Sequence, residues 1–181
     1  MGNFTEGWRL SQKLEQDEPN NHRAAYNRGW YLLRQGEIQN GYQLMDRGRI
    51  EGVFGNTVPD LPTKPWDGKT KGTVLLYLEG GLGDQIHQVR YAKAIAAKGC
   101  KVVVGCSGSL ASLFVDVEGV SSVAQHEACF GTYHDFYVQG MSAVVPLGFE
   151  LEDLSGTPYI TKPKTIKGYR KRIGMRWQGQ S

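Results

Sequence analysis

Few folds accommodate the stretch Thr73 to Tyr91, which reads T-V-L-L-Y-L-E-G-G-L-G-D-Q-I-H-Q-V-R-Y. Val74, Leu75, Leu76, Tyr77 and Leu78 follow one another without polar alternation, the pattern of a strand covered on both faces in a parallel sheet. Gly80, Gly81 and Gly83 then end the strand. Asp84 stands where a helix wants its N-cap, and a helical pattern runs on to Lys98. Strand, glycine turn and helix start make the first half of a βα unit, where backbone N–H groups and the helix dipole favour an anion or a polarised hydroxyl. The glycines do not complete G-x-G-x-x-G, because Ile86 stands at the third place. No G-x-x-x-x-G-K-[ST] occurs either, so the dinucleotide and P-loop readings fail.

The alternation continues downstream. Lys101 to Cys106 predicts a second buried strand, Leu110 to Val117 a short helix, Ser121 to Ala124 a third strand and Phe136 to Val138 a fourth. Pro158-Tyr159-Ile160 predicts an edge strand, where a leading proline is tolerated. Strands alternating with helices imply an α/β fold with a Rossmann-like parallel sheet, which binds ligands at the carboxyl ends of its strands.

Upstream, residues 1–55 carry a helical pattern with an internal echo. Gly7-Trp8-Arg9-Leu10 returns as Gly41-Tyr42-Gln43-Leu44, an offset of 34 residues, which is the period of tetratricopeptide helix pairs. Residues 5–17 then read as one helix and 21–50 as a helix pair, with Trp8, Trp30 and Tyr42 as its core aromatics. Gly41 and Gly48 stand where alanine is usual and weaken helix propensity. So short an array does not stand alone, and the helices are expected to pack on the α/β part. Residues 56–72 are rich in proline and glycine and form a linker before the α/β segment at 73–161. The remainder, 162–181, opens with six basic residues between Lys162 and Arg172, read first as a solvated linker.

The 181 residues, 40% of them hydrophobic and 22% charged, describe a globular chain with a core. A net charge of +3 does not demand a nucleic-acid partner. Three cysteines without a C-x-x-C pair read as reduced thiols. Neither a membrane-length apolar run nor a signal peptide is apparent, so a cytoplasmic location is expected. The histidines are scattered and no D-x-D occurs, so no metal site is expected.

Around the turn, Gly80, Gly81 and Gly83 admit close approach of a ligand, with the Asp84 carboxylate at the rim. His87 lies on nearly the same helix face, and Arg90 follows one turn later, placed to meet an acidic group. Gln139, Gly140, Met141 and Ser142 follow the fourth strand and form a second loop expected to line the same cleft. On the residues alone, Asp84 reads as a helix cap with its carboxylate at the rim of the loop.

At E-G-G-L-G-D-Q-I-H-Q-V-R-Y the sequence resembles the first loop of tetratricopeptide-linked glycosyltransferases, relatives of the lipopolysaccharide heptosyltransferases. The likeness extends upstream to Pro65-Trp66-Asp67-Gly68. It extends downstream to Arg172-Ile173-Gly174-Met175-Arg176-Trp177-Gln178-Gly179, which is similar to the start of the family's second domain. These enzymes have the GT-B fold, two Rossmann-like domains facing across a cleft. The resemblance implies that residues 73–161 are the acceptor-side half and that Asp84 is the base activating an acceptor hydroxyl. It further implies inverting, metal-independent transfer from a nucleotide sugar, with no cofactor beyond that donor substrate, to a glycan, lipid-sugar or protein acceptor. Of the donor side it leaves Arg176, Gln178 and Gly179, and a separate donor-domain partner is one way to complete the site. The alternatives are a non-catalytic binding module and a subunit of a split glycosyltransferase.

Overall fold

The computed structural model of the chain describes residues 4–55 and 57–160. Five strands form one sheet in the order β1-β5-β2-β3-β4, and every neighbouring pair is parallel. They are β1 (Lys64–Pro65), β2 (Thr73–Tyr77), β3 (Lys101–Cys106), β4 (Ser122–Gln125) and β5 (Phe136–Gln139). The fold is α/β and Rossmann-like, preceded by helices, as the alternation predicts.

The apolar run of β2 is covered on both sides for a simple geometric reason: successive side chains of a strand point to opposite faces. Val74, Leu76 and Leu78 join Val102, Val104 and Val138 on one face, beneath Ala92, Ile95, Phe114, Val144 and Leu147. Leu75 joins Val103, Tyr137 and Cys129 on the other, where Leu61, Tyr77 and Ala124 complete the cover. Leu75, Leu76 and Leu78 are fully buried, each stabilising the fold by about 1.5–3 kcal/mol.

The helices before the sheet are α1 (Phe4–Asp17), α2 (His22–Arg34) and α3 (Ile38–Arg47). The side chain of Asn21 caps α2 by accepting from Ala24 N–H at 2.9 Å. The predicted packing on the α/β part is present. Ile38 belongs to the sheet's main core, and Gln39 Nε2 donates to Val144 O at 2.9 Å and to Phe149 O at 2.8 Å. Of the three aromatics assigned to the helical core, Trp8 packs on Tyr31 and Tyr42 on the sheet's core, but Trp30 is 54% exposed.

The glycines that weaken these helices have a packing reason. A Cβ at Gly29 would lie 2.6 Å from Gly41 O and 2.7 Å from Met45 Cγ. One at Gly41 would lie 2.5 Å from Leu33 Cδ2, and one at Gly48 2.6 Å from Tyr26 Cδ2. The lost helix propensity is exchanged for close approach of α2 and α3.

Four sequence expectations are corrected. The helix expected to run to Lys98 is two helices, α4 (Leu82–Gln88) and α5 (Tyr91–Ala97), separated at Val89–Arg90, where Ala92 N–H bonds Val89 O at 3.0 Å. The helix expected over 110–117 is a 3-10 turn at Gly108–Leu110 followed by α6 (Ala111–Phe114). A last short helix, α7, covers Val144–Leu147. Residues 158–160 form no strand, because Tyr159 packs instead under the Arg90 guanidinium, 4.5 Å from the ring centre. The sheet edge is β1, within the expected linker, where Lys64 pairs with Phe136 and Pro65 with Tyr137. The proline is tolerated because an edge strand needs donors on one side only.

The Trp66-Asp67-Gly68 turn fixes that linker. Trp66 is buried and its Nε1 donates to Thr70 O at 2.9 Å. Gly68 has φ +77°, and a Cβ there would lie 1.8 Å from Pro146 O. Asp67 accepts from the N–H groups of Lys69 and Thr70, each at 2.8 Å, and from the Thr70 hydroxyl at 2.7 Å.

Gly29→Ala should destabilise the chain by about 1–3 kcal/mol through overpacking, against a propensity gain of about 1 kcal/mol. Urea unfolding with a net stabilisation would contradict the close packing of α2 on α3. At Asp67 the Thr70 N–H, then the Thr70 hydroxyl and Lys69 N–H, hold the carboxyl down at about 2. A depressed folded pKa contributes stability above the unfolded value, lost as pH falls from about 4 towards 2. Asp67→Asn should therefore flatten the acid limb of a melting-temperature profile over that window, and an unchanged limb would refute it.

Candidate functional site

The chain leaves β2 for β3 and β4 on one side, and returns on the other side of β2 with β5. The order therefore reverses between β2 and β5, and the crevice at the carboxyl ends of those two strands is where open parallel sheets place ligands. Both sequence-predicted loops flank this point, Glu79–Asp84 after β2 and Gly140–Ser142 after β5.

The first loop is shaped by its own helix. Gly80 has φ +74°, and a Cβ there would lie 2.7 Å from Asp84 Oδ2. Asp84 is not the N-cap: that residue is Gly81, and Asp84 is the third helical residue, its Oδ2 accepting from Gly81 N–H at 2.8 Å. A carboxylate reaching back from this position satisfies a donor that the helix end leaves open. Asp84 is exposed, and Oδ1 has no hydrogen bond among the described residues.

Gly81 and Gly83 differ from Gly80. Neither has a positive φ. A Cβ at Gly83 would meet nothing within 4 Å, and one at Gly81 would meet only Asp84 Oδ2 at 3.4 Å.

Two buried glutamines hold the loop from behind, and sequence reading missed both. Gln88 Oε1 accepts from Glu79 N–H at 2.8 Å while its Nε2 donates to Glu79 O at 3.2 Å. Gln85 Nε2 donates to Gly80 O at 3.1 Å and Ser107 Oγ at 2.9 Å, and its Oε1 accepts from Ser107 N–H at 2.9 Å. A three-residue spacing on one helix, facing a glycine loop, is the available signal.

The second loop turns inward. Gln139 and Ser142 are 8% and 9% exposed, and Gly140 is buried, with Gln88 Oε1 only 2.1 Å from where its Cβ would be. Gln139 Nε2 donates to Thr57 O at 2.9 Å and to Glu79 Oε1 at 3.0 Å. Met141, half-buried, donates its N–H to Glu79 Oε2 at 3.2 Å. Glu79 is thus the acceptor of a buried network.

The cation of that network, Arg49, comes from the 3-10 turn Gly48–Glu51 after α3. Its guanidinium forks onto Glu79, with Nη1 on Oε1 and Nη2 on Oε2 at 2.9 Å. Nη2 also donates to Ser142 Oγ at 3.0 Å, and Nε to Asp46 Oδ1 at 3.0 Å. The Ser142 hydroxyl donates in turn to Asp46 Oδ1. Burial opposes the charge on Arg49, and Glu79 and Asp46 more than offset it, so its pKa stands above the ordinary value.

His87 is exposed on α4, and desolvation by the flanking chain, helped by Arg90 and opposed by Asp84, lowers its pKa. Arg90 faces away from the glycine loop. It donates to Ser155 O and to the Tyr159 hydroxyl, each at 3.2 Å, at an apolar cleft of about 610 Å³ beside α5. Cys106 and Cys129 are buried, which pushes each thiol up to about 11. Among the described residues, no group of three metal-ligating side chains converges, and no helix is long and apolar enough to cross a membrane. Arg176, Gln178 and Gly179, with the basic run before them, lie outside the described residues.

Comparison with family models, with curated proteins and with solved structures found no match.

The two kinds of glycine should separate on substitution. Gly80→Ala places an alanine in the left-handed region and should destabilise the chain by about 1–2 kcal/mol. Gly83→Ala meets open space and should be neutral or stabilising by up to about 1 kcal/mol. Urea midpoints that move together would refute the distinction.

Proposed function

We propose that the chain forms the acceptor-binding part of a GT-B glycosyltransferase that moves a sugar from a nucleotide-sugar donor to an acceptor hydroxyl. The observation that carries this reading is the pair Gly81 and Gly83. Both are exposed glycines of ordinary φ at the point where the strand order reverses; a Cβ would meet nothing at Gly83 and make only an ordinary contact with Asp84 Oδ2 at Gly81. Neither the backbone nor the packing requires glycine there, whereas close approach of a ligand to the loop backbone does.

Asp84 is the acceptor base in this reading. Gly81 N–H holds Oδ2, which fixes the carboxylate, and Oδ1 is left to accept from an incoming hydroxyl. As the acceptor oxygen attacks the anomeric carbon, Oδ1 takes its proton, and the bond from that carbon to the nucleotide diphosphate oxygen breaks with its electron pair. Attack opposite the leaving group inverts the anomeric centre. Groups that neutralise the departing diphosphate belong to the donor side, for which Arg176, Gln178 and Gly179 are the proposed contributors from this chain. The acceptor is a glycan, lipid-linked sugar or protein hydroxyl, and the setting is the cytoplasm, where nucleotide sugars serve as donors.

Asp84→Asn keeps an oxygen for Gly81 N–H and loses only the carboxylate charge in the first turn of α4, so stability should fall by no more than about 1 kcal/mol. Turnover, measured with the donor-binding domain present in cis or in trans, should fall by roughly 10²- to 10⁴-fold. A full rate in the Asn variant would leave Asp84 a helix-capping carboxylate and favour a binding module without chemistry.

A further inference from the structure

Glu79 is the residue through which the chain enters the glycine loop, and it is held from every side. Gln88 engages both its N–H and its carbonyl, Gln139 and Met141 N–H engage its carboxylate, and the Arg49 fork closes the set. Of these partners only Arg49 comes from the helices that precede the sheet. Arg49 is 8% exposed and Glu79 9%, so the pair is shielded from solvent screening.

We propose that Arg49 is a positioning residue for the glycine loop: by locking the Glu79 carboxylate it fixes the loop's entry, making the helical segment part of the site's frame. A bidentate guanidinium fixes orientation as well as distance, which a single contact does not. Glu79 lies directly before Gly80, whose φ of +74° reverses the chain. A rotation at Glu79 is therefore transmitted straight into the positions of Gly81 and Asp84. The same linkage runs in the other direction, so a partner that shifts α3 or the Gly48–Glu51 turn changes the loop. The inference concerns loop geometry and is separable from the sugar-transfer reading, because its test needs neither donor nor acceptor.

The test is amide hydrogen exchange, residue by residue, on the full 181-residue chain. The reporting amides are Glu79, Gly81 and Gln85, bonded to Gln88 Oε1, Asp84 Oδ2 and Gly81 O. The reference amides are Val102, Val103 and Val104 in β3. Arg49→Met should speed exchange at the loop amides by roughly tenfold or more relative to the reference amides, a local opening rather than a global one. Equal acceleration of both sets, or no change at the loop, would overturn the proposal. Glu79→Gln should reproduce the loop effect, and adding Arg49→Met to it should multiply exchange by less than about twofold, since coupled residues are non-additive. A double variant showing the full product of the single effects would mean that Arg49 acts by another route, and the proposal would fail. Should Arg49→Met not fold, Arg49→Lys keeps the charge without the fork and is read by the same comparison of loop and reference amides.

Discussion

The ion pair between Arg49 and Glu79 carries the architecture. Two charges taken out of water lose several kcal/mol of hydration each, and their attraction offsets this only when geometry and surrounding hydrogen bonds are complete. Here they are: Asp46, Ser142, Gln139 and the Met141 N–H supply the remaining partners. A network this fully satisfied specifies one arrangement, because any slip of α3 against the sheet leaves a buried charge unpaired. The hydrophobic contacts of Ile38 hold the helices to the sheet, whereas the network decides where along the sheet they sit.

That choice of position explains the site. In a Rossmann-like sheet the crevice between the two strands at the reversal point is the open one. Here its inner part is occupied by the Arg49 guanidinium, Gln139 and the carbonyl of Thr57. What stays exposed at this end of the sheet is the outer rim, Gly80 to Asp84. Gln139, Gly140 and Ser142 belong to the wall that supports this rim. Their distance from solvent follows from the same plug that aligns the helices.

The main lines of the fold were legible because they depend on local pattern. The uninterrupted apolar run at 74–78 signals a doubly covered strand, the glycines after it a strand-to-helix turn, and the 34-residue echo a packed helical pair. What escaped sequence reading depends on partners far apart in the chain. Arg49 and Glu79 are 30 residues apart, and Ser142 lies 93 residues from Arg49; no periodicity relates them. The β1 edge was hidden because a two-residue strand in a proline-rich stretch has no alternation to show. Tyr159 was assigned to a strand on local propensity, and a cation–π contact with Arg90 outweighed it.

Sequence alone treats the chain's 24 glycines as one class, and geometry divides them by what a methyl group would meet. Gly29, Gly41 and Gly48 are glycine because a neighbouring helix is too close. Gly68 and Gly80 are glycine because their backbones are left-handed and crowded as well. Gly83 answers to neither reason: it lies in a helix, where glycine is unfavourable by about 1 kcal/mol relative to alanine, with empty space before it. A residue that weakens its helix without easing a backbone or a contact is explained by something outside the fold. At the reversal point of a parallel sheet and beside the exposed Asp84 carboxylate, the ligand proposed above to lie against the backbone would supply that reason.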